Sequence, residues 1–134
     1  MRARDLDVLG FPKLLEALAA LAVSASGAEL ARLRAPLPTR PQAEQALDRQ
    51  WSFFRLLEVA GPLPLTAFPD VRESLALASH EGAVLPGERL VEVRTVLRQV
   101  DTLRRFLAAK AGDMPALADL PRRLHPLPEL EAAL

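Results

Sequence analysis

The sequence is informative first through what it lacks. It contains no cysteine, which excludes a disulfide framework, a thiolate metal site and a cysteine nucleophile. Aromatic residues are scarce, with one tryptophan and five phenylalanines among 134 residues. Leucine, alanine and valine must therefore form the core, and this composition favours helices over strands.

Net charge and long apolar runs are absent as well. Seventeen basic residues balance seventeen acidic ones, so no global positive field recruits nucleic acid. The stretch LLEALAALAV follows two arginines as in a signal peptide, but Asp5, Asp7, Lys13 and Glu16 interrupt the region. No run approaches the roughly 20 apolar residues that span a membrane. We expect a folded, cytoplasmic protein with no membrane partner.

Prolines and glycines divide the remaining sequence into helical segments of clear apolar periodicity. We expect helices at about 12–23, 24–35, 39–60, 70–81, 86–111 and 115–124, with a further helix beginning at 128. Ser24 and Thr39 are the predicted N-caps, while Gly61, Gly82 and Gly112 are the predicted breaks. The pattern predicts one all-α, bundle-like domain over residues 1–134, with two long helices and several short ones.

Helical spacing also predicts which side chains face the core. In the first long helix it selects Leu47, Trp51, Phe54 and either Leu57 or Glu58, with Trp51 as the largest contributor. The shorter helices are expected to turn an apolar set inward: Leu14, Leu15, Leu18, Leu21, Ala22, Leu30, Leu33, Val71, Leu75 and either Leu77 or Ala78.

The second long helix carries a nearly heptad-like apolar stripe. Its members are Leu90, Val93, Leu97, Val100 and Leu107. Such a stripe can pair with a second subunit or a partner helix. In a small domain, packing against the helix that carries Trp51 is the favoured alternative.

No residue pattern in the chain predicts catalysis. His80 and His125 lack metal-ligand spacing, and no second histidine follows His80-Glu81 at the distance that a zinc protease needs. His80 is instead expected to bind free carbonyls at a helix C-terminus. No glycine-rich phosphate loop and no serine elbow is present. We expect no catalytic, cofactor or metal site in this chain.

One basic face deserves comparison with nucleic-acid binding surfaces. Arg94, Arg98 and Arg105 share a side of the second long helix and can follow phosphates along a backbone. The other interpretation is a solvated face in which Asp101 pairs with Arg98 and Arg105, and helical charge spacing favours it. A second basic pair, Arg122 and Arg123, has the same two interpretations.

Three segments, taken in order, resemble a known family. They are DVLGFPKLLEALAALAVSASGAELARL, GPLPLTAFPDVRESL and GAVLPGERLVEV. Their entry helices, Gly-Pro-rich connection and Gly-x-Val-Leu turn are similar to the second bacterial paralogue of the MutS family (MutS-two), which suppresses recombination. The likeness covers nearly the whole chain.

The resemblance implies an α-helical core and lever segment at the N-terminus of a longer protein. Members of that family lack the mismatch-reading domain, and their ATPase and endonuclease domains lie further along the chain. The implied parent uses ATP and Mg²⁺, forms a homodimer, binds branched DNA and in some cases acts on ribosomes. No functional residue of the family maps onto this chain.

The C-terminal sequence LPELEAAL starts a helix without a polar tail, which favours a truncated multidomain protein. The alternative function is a free-standing helical adaptor that binds a protein partner through the stripe at residues 90–107.

Overall fold

The computed structural model describes residues 3–110 and 114–134, apart from the side chains of residues 3 and 4. Within these ranges the chain forms α-helices, a 3₁₀ turn and connecting loops, with no strand. The α-helices are α1 Ala3–Val8, α2 Phe11–Ala20, α3 Ala25–Arg32, α4 Arg40–Ala60, α5 Arg72–Ala78, α6 Gly87–Lys110, α7 Leu120–Arg123 and α8 Pro128–Ala133. The 3₁₀ turn, Pro115–Leu117, lies between α6 and α7. The all-α prediction with two long helices is confirmed.

Most helix boundaries follow the predicted punctuation. The Ser24 hydroxyl accepts a hydrogen bond from the Gly27 N–H at 3.1 Å and caps α3 as expected. Thr39 occupies the N-cap position of α4, although its side chain makes no capping bond. Gly61 ends α4 with a φ of 76°, a backbone conformation that residues with a Cβ rarely adopt.

The predicted set of helices is wrong in two places. Helix α1 was not predicted, because its six residues are too few to show periodicity. The helix expected over 115–124 is divided into the 3₁₀ turn and the four-residue α7. Pro121 lacks the N–H that a continuous helix would direct to the Leu117 carbonyl, so α7 starts anew with Pro121 in its first turn. The predicted end of α6 near 111 and the break at 112 lie outside the described residues.

The hydrophobic core lies where α4, α6 and the 3₁₀ turn meet. Leu56, Leu107 and Leu117 are 1%, 3% and 0% exposed. Partly buried side chains surround them: Phe53, Ala60, Leu63, Leu103, Phe106, Met114, Leu120 and Leu124. The α6 stripe therefore packs within the chain at its Leu107 end. Its partner on α4 is the Leu56 face rather than the Trp51 face that was predicted.

Polar contacts hold the connections around this core. Gln99 of α6 donates to the Pro64 carbonyl at 2.5 Å and accepts from the Thr66 hydroxyl at 3.0 Å, which fixes the proline-rich loop against α6. Arg49 of α4 donates to both carboxylate oxygens of Asp119 at 3.2 Å. Each contact therefore joins segments that are distant in the sequence.

The predicted inward face of α4 is wrong. Trp51 is 65% exposed, and Leu47, Phe54 and Leu57 are exposed with it. The same error applies to several leucines of the shorter helices, which are exposed: Leu14, Leu18, Leu21, Leu30, Leu33, Leu75 and Leu77. Helices α2 and α3 pack against each other, and the buried side chain of each is a small one, Ala19 in α2 and Ala31 in α3.

The chain leaves an unusually large surface uncovered. Its accessible area is 10118 Å² for 14.6 kDa. A compact monomer of that mass exposes only about 6,900 Å². Among the described residues no helix is both long and apolar enough to cross a membrane. Exposed apolar side chains on several helices contribute to this excess area.

We expect Leu56→Ala and Leu117→Ala each to lower the free energy of unfolding by about 2–5 kcal/mol, because each leaves a cavity in the core. Urea denaturation of the chain measures this loss. Leu47→Ala is the matched control, since it changes the same residue type in α4 at an exposed position. An equal loss in all three variants would contradict the placement of the core.

Candidate nucleic-acid interface and the charged network

The arginines predicted to contact nucleic acid lie along α6 as expected. Arg98 and Arg105 are exposed, whereas Arg94 is half-buried and donates to the Leu134 carbonyl at 3.4 Å. Aromatic side chains that would stack on bases are not interleaved with them in the sequence. The surface can offer positive charge to a phosphate but no aromatic ring on which a base would stack.

Each exposed arginine of this face already has an acidic partner. Arg105 pairs with Asp101 at 2.5 Å, and Arg104 approaches the same carboxylate at 3.4 Å. The predicted Arg105–Asp101 pair is confirmed. Arg98 pairs with Glu131 of α8 at 3.2 Å instead of with Asp101, so that part of the prediction is wrong. Glu131 lies 33 residues away, and no helical spacing rule connects the two positions.

A phosphate at this face would compete with these carboxylates for the arginine side chains. The Asp101 side chain is only 18% exposed, so its pairs are shielded better than fully solvated ones. Arg122 and Arg123, the second basic spot, lie exposed in the last turn of α7.

Sequence reasoning missed the most extensive charged cluster, which is centred on Arg72. Its guanidinium donates to both oxygens of Glu29 in α3 at 2.7 and 2.9 Å. It also donates from Nε to both oxygens of Asp70, at 2.9 and 3.0 Å. One planar cation thus joins α3 to the start of α5, using the fork geometry that suits carboxylates. Glu29 and Arg72 are 43 residues apart, so no local pattern reveals the pair.

The cluster shifts the pKa of every member. Hydrogen bonds from Arg72 lower the pKa of Asp70 from 3.8 to about 2 and also lower the pKa of Glu29. The same bonds, first to Glu29 and then to Asp70, raise the pKa of Arg72. All three side chains stay charged at neutral pH, which suits a structural link rather than proton transfer.

The remaining candidates give no reactive centre. His80 lies at the C-terminal end of α5, with Nδ1 3.0 Å from the Ala76 carbonyl and 3.3 Å from the Leu77 carbonyl, which confirms its predicted capping role. His125 lies in the loop between α7 and α8, as expected. Over the described ranges, no group of three or more metal-ligating side chains converges.

These features define an all-α protein with charged links between its helices and exposed apolar side chains. Comparison with known proteins places it more narrowly. The chain is similar to proteins named Endonuclease MutS2: 28% identical over 98% of its length to the protein of Aquifex aeolicus, 36% over 94% to that of Anaeromyxobacter sp., and 33% over 84% to that of Solidesulfovibrio magneticus. No family model and no solved structure matches it.

The chain is a homologue of a segment of the MutS2 proteins, which confirms the resemblance seen in its motifs. It spans about a sixth of the length of these relatives, with 17%, 16% and 14% of each covered. The name of the relatives describes them as endonucleases.

The Arg72 cluster makes stability depend on pH. Because the pKa values of Asp70 and Glu29 are lower in the folded chain than in the unfolded one, their contribution to stability is fully present above the unfolded values of 3.8 and 4.5. It is lost as the pH falls through the lowered values, which for Asp70 is about 2. We expect Arg72→Gln to lower the urea midpoint at pH 6–7, and the difference from the native sequence to close toward pH 2. Arg55→Gln, at an exposed position of α4, is the control. A difference that stays constant with pH would contradict the assignment.

Proposed function

We propose that this chain is the N-terminal helical core and lever segment of a MutS2-like DNA-dependent ATPase and endonuclease. The proposal is carried by its similarity to MutS2 proteins over nearly its whole length while covering about a sixth of theirs. In it the segment contributes structure, and the ATP site, Mg²⁺ and nuclease chemistry belong to sequence beyond residue 134. The parent acts in the cytoplasm.

The parent, in this proposal, forms a homodimer that binds branched DNA and suppresses recombination, and the ribosome is a further partner. The segment transmits the nucleotide state between ATPase and DNA or supports dimerisation. Long helices joined by polar contacts between distant segments suit transmission, because they move as rigid bodies when a neighbour shifts.

The second candidate is a free-standing adaptor that binds a protein partner. The observation in its favour is the set of exposed apolar side chains, since large exposed patches mark interaction sites. The stripe at residues 90–107 is less suited to this role than predicted, because Val93 and Leu107 are buried.

The reading frame after Leu134 separates the two candidates. We expect a long continuation that encodes a P-loop ATPase, whose product binds branched DNA and hydrolyses ATP, while the 134-residue chain does neither. Filter binding with a four-way junction and a phosphate-release assay measure the two activities. A stop codon after Leu134 would favour the adaptor, and ATP hydrolysis or DNA nicking by the 134-residue chain would refute the structural role.

Direct DNA contact through Arg94, Arg98 and Arg105 gives a separate test on the longer protein. We propose that the ion pairs of Arg98 and Arg105 and the bond from Arg94 to the Leu134 carbonyl keep the three side chains structural, so reversing their charges leaves the salt dependence of junction binding unchanged. If they contacted phosphate, binding would weaken and the slope of log K against log salt would fall by about 0.9 for each contact. Glutamine variants at the same positions control for repulsion between new glutamates and Asp101 or Glu131.

A further inference from the structure

Helix α4 carries two apolar faces on opposite sides, and only one is covered. Leu56 faces the core and is 1% exposed. Leu47 lies nine residues earlier, which places it about 180° around the helix. Trp51 and Phe54 lie on the Leu47 side and are exposed. Helix α4 therefore has apolar side chains on two sides, as a central helix of a bundle does, but packs against other elements on only one of them.

The uncovered face, made of Leu47, Trp51, Phe54 and Leu57, is already shaped for contact. The rings of Trp51 and Phe54 meet edge to face, with centroids 5.9 Å apart and an interplanar angle of 87°. Such a pair is a favoured aromatic geometry and orders both side chains before any partner arrives. Together with Gln50 and Phe53, the face lines an open groove along the helix.

The exposed area of this face favours a helix of the same polypeptide over a second copy of the chain. A fully buried aromatic side chain removes about 150–250 Å² from water. Scaled by their exposed fractions, the four side chains of the face have an apolar area on the order of 400 Å² that a partner can bury. A stable interface between separate proteins buries about 800 Å² per partner. A second copy of the chain held by this face alone would thus bind weakly. A helix in the same polypeptide needs less area, because tethering gives it an effective concentration in the millimolar range.

We propose that the Leu47–Trp51–Phe54–Leu57 face of α4 is covered by an apolar helix from another part of the same, longer polypeptide. The inference rests on the proposed function, since it requires sequence outside residues 1–134. That requirement agrees with the fraction of the MutS2 relatives that this chain spans and with its excess surface. The covering helix presents apolar side chains at i, i+3 and i+4 spacing, which is the pattern that packs against α4.

Hydroxyl-radical footprinting of Trp51 tests the proposal, because Trp51 is the single tryptophan of these 134 residues. Mass spectrometry of its peptide compares the 134-residue chain with the longer protein, with an added peptide as radical dosimeter. Covering Trp51 would reduce its exposure from 65% to less than about a tenth, so we expect labelling to fall about sixfold in the longer protein. The fall should not depend on protein concentration.

Two variants of the longer protein make the test specific. Leu47→Lys places a charge in the face and should restore most of the Trp51 labelling. Val59→Lys changes an exposed position of α4 outside the face and should not. Circular dichroism checks that both variants keep their helices.

Equal Trp51 labelling in the two proteins would overturn the inference while leaving the proposed function intact. Labelling of the 134-residue chain that falls as its concentration rises would assign the face to a second copy and also overturn it. A reading frame that stops after Leu134 would overturn the proposed function and the inference together.

Discussion

The contact among Leu56, Leu107 and Leu117 is the constraint on which the rest of the structure depends. It is the point where both long helices meet the 3₁₀ turn, and these side chains are the most deeply buried apolar ones described. Once it forms, the proline-rich loop has to cross near Gln99, and Asp119 comes within reach of Arg49. The polar contacts fix the geometry that this apolar contact selects, because buried apolar area supplies the main driving force.

The N-terminal helices depend on this centre only indirectly. Helices α2 and α3 pack against each other and bury only Ala19 and Ala31 among their described residues, while Arg72 links α3 to α5 through exposed ion pairs. Exposed pairs contribute little individually, and a network in bidentate geometry contributes more. Local opening of α1–α3 should therefore require less free energy than global unfolding, because few buried apolar contacts resist it.

Helix boundaries could be predicted well from the sequence, whereas the faces of the helices could not. Boundaries depend on local chemistry: the Ser24 hydroxyl reaches an N–H three residues away, and Gly61 adopts a positive φ within its own turn. Which face of a helix is buried depends on the elements that pack against it. Helix α4 has apolar residues on both sides, so periodicity alone cannot tell which side the core uses, and the large Trp51 favoured the wrong one. The ion pairs of Arg72 and Arg98 span 43 and 33 residues, beyond any local rule.

The wrong assignment of Trp51 is itself informative about how the fold is organised. The inward prediction assumed that a small domain uses its largest apolar side chains to bury its own surface. This chain instead buries Leu56 and Leu117 and leaves its tryptophan on the surface beside Phe54. Exposing aromatic side chains costs free energy that the edge-to-face contact between Trp51 and Phe54 recovers only in part. In this sequence most local signals for helix boundaries agree with the structure, whereas several large apolar side chains stay exposed among the described residues. That combination is typical of a segment whose long-range contacts lie elsewhere in a larger protein.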